Sequence, residues 1–241
     1  MSSFLELCQR VRQECGIAGE GNPTTVVAQT GILGRIVSRT SRAWVDIQAS
    51  RPYWKFLHSQ LTFTTTEGVR TYAVGAGAAI DNANVDKWDT DSAFQYLDST
   101  DDEQQLYWKD YQWFRRMHRT FPDGRPTEIT EQPGRILAFD FTPDDVYTTT
   151  IDYWKTPELL SADDDVPACP EHYQDCIVWK AVMMHAGAVG DVALYNHAFT
   201  QYKPIYFQLV VDQGDVPSAL KNYPIARGNQ RVTHAIGIVP K

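Results

Sequence analysis

Six histidines, four cysteines and a scatter of carboxylates are the side chains here whose chemistry would suit catalysis or metal binding. Cys169, His172 and Cys176 come nearest to a ligand set, two thiols and an imidazole within eight residues. Structural zinc takes four ligands, and no fourth stands near them, so buried thiols beside a helix-terminal histidine are the expectation. His58, His118, His172, His185, His197 and His234 include no pair four residues apart, and the HExxH pattern is absent. Gly75-Ala76-Gly77 lacks the third glycine and the following helix of a dinucleotide loop, and neither a P-loop nor a GxSxG elbow occurs. Among the carboxylates, Glu128 and Glu131 stand three apart in a strand-like run, which places them on opposite faces. Asp144 and Asp145 fall in a proline turn, and Asp163, Asp164 and Asp165 in a loop, where acids cap and solvate. These patterns point away from an enzyme, and no cofactor is expected.

The bulk properties narrow the classes further. The 241 residues are 43% hydrophobic and 22% charged, a globular balance with enough apolar content for a sizeable core. Seven Trp, twelve Tyr and ten Phe suit both a core and surfaces where proteins meet. A net charge of −8 opposes general nucleic-acid binding, which needs a cationic face to displace counterions, and suits a surface past which DNA slides. The cysteines fall as Cys8/Cys15 and Cys169/Cys176, each seven apart. On a helix that spacing is about 10 Å along the axis, too far for a disulfide, so reduced buried thiols are expected. Arg and Glu recur through the first sixteen residues, unlike a signal peptide, and no run of apolar residues reaches a membrane span.

The elements follow from period and punctuation. A helix is expected from about Ser3 to Cys15, with Ser3 and Glu6 as a capping box and Gly16 as its stop. A longer one runs from about Thr30 to Ser50, ended by Pro52. LTFTTTEGVRTYAV then reads as two strands around a Glu67-Gly68 turn, followed by strands at VDKWD and AFQYLD. A helix is expected over about 100–119, started by Ser99 and Thr100 with acids in its first turn. Strands follow at TEITEQ, RILAFDF and VYTTTIDYW. Pro170 opens a central helix over Glu171–Ala186, with Gly187 and Gly190 as breaks. Another carries Val192, Tyr195, Phe199, Tyr202, Tyr206 and Leu209 at helical spacing, with a kink expected at Pro204. From Gly214 the chain loses periodicity. That tail holds Lys221, Arg227, Arg231 and Lys241 against Asp215, a charge of +3 (four less one) in a chain of −8.

The fold class expected is α+β: a helical bundle built from residues 1–58 and 166–213, an inserted β-rich domain over 59–165, and an extended C-terminal tail over 214–241. The ordered set of blocks resembles the head-to-tail adaptor (connector) proteins of tailed phages, the tail tubular protein A-like family. The blocks are LELCQRVRQECG, AWVDIQASRPYWKF with its Pro-x-Trp-x-Phe exit, LTFTTTEGVRTYAV, GRPTEI, RILAFDFTPDDVYTTTIDYWKTPELL and VPACPEHYQDCIVWKA. They span about residues 1–212.

The resemblance implies a virion neck protein, assembled in the host cytoplasm. It would form a homo-oligomeric ring, expected to be a dodecamer, between the portal protein and a tail tube or nozzle protein. Genomic DNA would pass through the lumen without sequence-specific binding, and no membrane is involved. It also makes the tail a portal-docking arm, with Lys221, Arg227, Asn229, Arg231, Ile236, Ile238 and Val239 as its candidate residues and the Lys and Arg side chains pairing with acidic grooves on the portal. Such an arm can order on its partner and wrap a large surface. The alternative is a tail accessory protein with muramidase-like hydrolase activity, which would need a Glu/Asp pair in a cleft with one raised pKa. A nucleic-acid-binding module is disfavoured by charge.

Overall fold

The computed structural model describes residues 1–17, 21–97 and 102–214. The chain begins with helices α1 (Phe4–Glu14) and α2 (Gly31–Ala49), then strands β1 (His58–Thr64), β2 (Thr71–Gly75), β3 (Ile80–Asp81), β4 (Val85–Trp88) and β5 (Phe94–Leu97). It continues through β6 (Asp102–Gln105), β7 (Tyr107–Trp108), the short helix α3 (Tyr111–Met117), β8 (Glu128–Gln132), β9 (Ile136–Phe139) and β10 (Tyr147–Lys155). Helices α4 (Asp175–Val189) and α5 (Val192–Gln213) close the described chain. The fold is α+β.

Local sequence explains most of the helices. Ser3 and Glu6 form the reciprocal capping box, and Phe4, Leu7, Cys8 and Val11 give α1 its buried stripe. In α2 the buried residues Ile36, Thr40, Ala43, Trp44 and Ile47 recur every three or four positions. The middle of α4 is buried on most sides, from Cys176 to Ala186, and α1, α2 and α5 all contact it. Gly187 does not break α4. With its φ in the helical range it costs only propensity, and the helix ends at Gly190 in the left-handed conformation, φ 77°. Helix α5 continues through Pro204.

The strands form two five-stranded sheets. In the first, β10 is central: it pairs antiparallel with β1 on one side and with β4 and β5 on the other, and β6 flanks β5. The second runs β3-β2-β9-β8-β7. The strands either side of Glu67-Gly68 are therefore not partners. β1 pairs with β10 and β2 with β9, so the segment crosses between sheets.

The expected helix over 100–119 is corrected to two strands and about two turns of helix. Gln105, Gln104 and Glu103 pair with Phe94, Gln95 and Tyr96, and Tyr107–Trp108 lies parallel to Glu128–Ile129. Acids that favour a helix start were outweighed by a sheet edge that Leu106, wholly buried, anchors. Helix begins only after Asp110, whose carboxylate accepts from the N–H groups of Gln112 and Trp113 at 2.9 and 3.1 Å.

Two clusters of buried side chains result. One gathers α1, α2, α4 and α5 around Phe4, Leu7, Trp44, Trp54, Ile177 and Leu209. The other lies between the sheets around Tyr72, Leu106, Ile129, Leu137, Phe139 and Ile151. β10 serves both: Tyr153 packs in the sheet cluster, while its neighbour Trp154 packs in the helical one. Alternation along a strand sends them to opposite faces. Trp154 meets Tyr53 edge-on at 4.9 Å and His58 at 5.0 Å.

Candidate interaction surfaces

The groups with chemical potential are occupied structurally. Cys8, Cys15, Cys169 and Cys176 are free thiols. Burial pushes Cys15 up to about 11 and Cys8 and Cys169 up to about 12, and raises Cys176 as well. Such thiols stay protonated at neutral pH and are poor nucleophiles or ligands. Cys169 precedes its helix rather than lying on it, and the His172 ring lies tilted against Tyr173, centroids 4.0 Å apart. Glu128 faces His118 Nε2 at 2.8 Å and Lys109 Nζ at 3.5 Å, while Glu131 pairs with Arg135 at 3.6 Å. Each carboxylate is tied to its own cation instead of sharing a cleft. Asp163 and Asp165 serve backbone: Asp163 accepts from Val26, and Asp165 from Ser161 and Ala162, whose N–H groups hold its carboxyl below the usual range.

Among the described residues, one face of α5 carries a row of uncovered apolar side chains. Val192, Tyr195, Phe199, Phe207 and Val211 are all exposed, with Lys203 between them, at spacings of three and then four. Phe207 and Val211 are each 67% exposed. At 1.5 Å per residue the stripe is about 28 Å long. The opposite side of the same helix holds Ala198, Tyr202, Ile205 and Leu209 against the core. The apolar spacing seen in the sequence thus mixes two faces. Tyr202, Tyr206 and Leu209 turn inward, whereas Val192, Tyr195 and Phe199 turn outward. Asn196, Thr200, Gln201 and Gln208 are exposed on the same helix, so α5 keeps polar positions beside the stripe, and exposed Phe and Val aligned in this way suit a contact surface. The second spacing, 192-195-199-207-211 with Lys203 in its middle, was the available signal.

The end of α5 is fastened to the exit of α2. Trp54 bridges Gly214, Lys55 Nζ donates to the carbonyl of Asp212 at 2.7 Å, and Arg51 donates to that of Val210 at 3.3 Å. Lys55 thereby satisfies one of the carbonyls that the last turn leaves without a helical partner. These contacts also fix where residues 215–241 leave. Lys221, Arg227, Asn229, Arg231, Ile236, Ile238 and Val239 lie outside the described residues.

No helix among the described residues is long and apolar enough to cross a membrane. No curated protein matches the chain. A profile of the SU10 adaptor protein family matches residues 2–219, from the start of α1 through the two sheets to just past α5. The match agrees with the adaptor resemblance carried by the sequence blocks and extends over nearly the whole chain. Helical and β-rich parts alike are therefore family structure, and the chain belongs to the SU10 adaptor protein family of phages.

Proposed function

We propose that this protein is a structural neck component that assembles as a ring, a dodecamer by expectation, between the portal protein and the tail tube or nozzle. The observation that carries the reading is the outward face of α5, where Val192, Tyr195, Phe199, Phe207 and Val211 are exposed along one helix. Contact with neighbouring subunits would cover it. Family membership supports a structural head-to-tail role rather than a catalytic one.

In this reading residues 1–58 and 166–213 form one domain that builds the ring wall, and residues 59–165 form an inserted domain directed outward or towards the tail. The segment 214–241 is the portal-docking arm, through Lys221, Arg227, Asn229, Arg231, Ile236, Ile238 and Val239. Its root supports this role: Gly214 is held against Trp54, so an arm starting there has a fixed origin. The negative charge of the whole chain favours a lumen that DNA traverses without sticking.

The test is Phe207→Asp. A charge on this exposed position leaves the fold intact, with stability changed by about 0.5 kcal/mol or less. It places an unpaired carboxylate in the proposed contact, a cost of several kcal/mol on burial. Mass photometry of the chain mixed with its phage's portal ring should show many bound copies for the native protein and few for the variant. Equal loading by both would remove α5 from the contact.

A further inference from the structure

Two exposed surfaces outside α5 carry opposite charge, and neither is fully paired among the described residues. The first is the outer side of α3. Between Lys109 and Arg119 there are four cations, Lys109, Arg115, Arg116 and Arg119, against Asp110 alone, in a protein of net charge −8. Lys109 is paired with Glu128. Arg115, Arg116 and Arg119 are exposed and make no hydrogen bond or ion pair among the described residues. Trp113 and Met117, four residues apart on the same short helix, are exposed beside them, Met117 by 62%.

The second surface is where two loops meet. The turn after β1 and the turn before β10 are joined by the Gly68 N–H, which donates to the carbonyl of Pro143 at 2.9 Å. Glu67, Asp144 and Asp145 are exposed on these turns, and none is in an ion pair among the described residues. Asp144 accepts from the Tyr147 hydroxyl at 2.7 Å, which orients the carboxylate and leaves its charge. Val69 and Val146 are exposed alongside.

Resting on the ring reading above, we propose that the α3 face of one copy docks on the 66–69/143–146 surface of the next copy. The composition of each half fits. Arg and Trp are the residues enriched at the centres of protein contacts. Three guanidiniums face three carboxylates, and Trp113 and Met117 find Val69 and Val146. Duplex DNA would satisfy the arginines but offers the exposed Trp and Met no apolar partner, because a phosphate backbone has none. Two different patches can meet head to tail, and the ring reading takes that heterologous arrangement. A heterologous contact propagates from copy to copy and closes into a ring when the rotation allows. It also offsets the mutual repulsion of subunits that are each acidic. It would be a second, salt-sensitive contact beside the apolar one of α5.

Charge exchange tests it with the full chain. Arg115→Glu with Arg116→Glu reverses one patch, and Glu67→Lys with Asp145→Lys reverses the other. All four positions are exposed, and thermal melts confirm that the variants fold. On portal rings at about 0.1 M salt, each double variant should need a roughly tenfold higher concentration than the native chain for half-maximal loading. A chain carrying all four changes should recover native loading, because the complementarity is restored with inverted sign.

Native-like loading of both double variants overturns the proposal while leaving the ring reading standing. So does weakened loading that the fourfold variant fails to recover, which would assign the patches to portal or tail. Duplex DNA binding by the native chain that is lost in the Arg115→Glu, Arg116→Glu variant would assign α3 to DNA instead. If the native chain never loads the portal in multiple copies, the ring reading falls and this contact with it.

Discussion

In the helical region one helix, α4, is covered on nearly every side, and its neighbours bring Phe4, Trp44, Trp54 and Leu209 onto that common core. In the β-rich region the interior is more mixed. Gln95 and Thr149 are wholly buried with a bond between them, and Asp140 is buried with three donors on it. Their outer surfaces differ in the same sense. The helical region shows solvent an apolar stripe on α5, and the β-rich region shows unpaired charge at α3 and at the turn of Glu67 and Asp145. A stripe of Phe and Val suits a permanent contact, whereas exposed charge suits one that recognises and orients. The two regions share one strand, β10, through which Trp154 and Tyr153 point into different cores.

That shared strand gives the largest expected effect. Trp154→Ala removes a ring that is 2% exposed and packed on Tyr53 and His58. Its indole N–H has no partner among the described residues, so packing is what is lost. The cost should be about 3–5 kcal/mol in urea unfolding. Helical and β-sheet signals should shift together, and separate transitions would break the picture of a seam. Next is Asp140→Ala. Its carboxylate accepts from Thr127 N, Thr127 Oγ1 and Glu128 N at 2.9, 2.6 and 2.9 Å. Orphaning these groups should cost about 2–3 kcal/mol, and a negligible change would show that water replaces the carboxylate.

Much of the helical region was readable in advance, and the reasons are local. Ser3-x-x-Glu6 announces α1, and the 3.6 period of α2 and α4 stays inside single elements. In the β-rich region the strands themselves were legible from Thr, Val and Tyr runs, yet their partners were not. β1 pairs with β10 from about ninety residues away, and no turn signal encodes that choice. Asp102 and Glu103 carry the composition of a helix start but sit opposite Leu97 and Tyr96 in a sheet. In α5 the period was legible but the buried side was not, because Phe199 and Leu209 look alike in sequence while facing opposite ways. The contact surfaces were hidden for the same reason: exposure is a tertiary property.

Smaller effects sharpen the contrast. Ser3→Ala removes half of the capping box and should cost about 1 kcal/mol, confined to the helical region. The smallest is a pH effect at His185, whose Nδ1 lies 2.6 Å from Arg39 Nη1. Burial, then Arg39 and Arg35, hold its pKa below the ordinary value of 6.5. The folded chain therefore binds fewer protons than the unfolded one below about pH 6.5. Stability is full above that pH and is lost as pH falls through the folded value. His185→Gln, which keeps an acceptor for Arg39, should flatten this slope in melts between about pH 7.5 and 5. An unchanged slope would place the acid sensitivity elsewhere.

The central claim is a ring mounted on the portal. Electron microscopy of the full chain incubated with the portal ring of the same phage tests it most directly. The account predicts a second ring stacked coaxially on the portal, with its copy number visible in end views. A bare portal beside a chain that is demonstrably folded would contradict it.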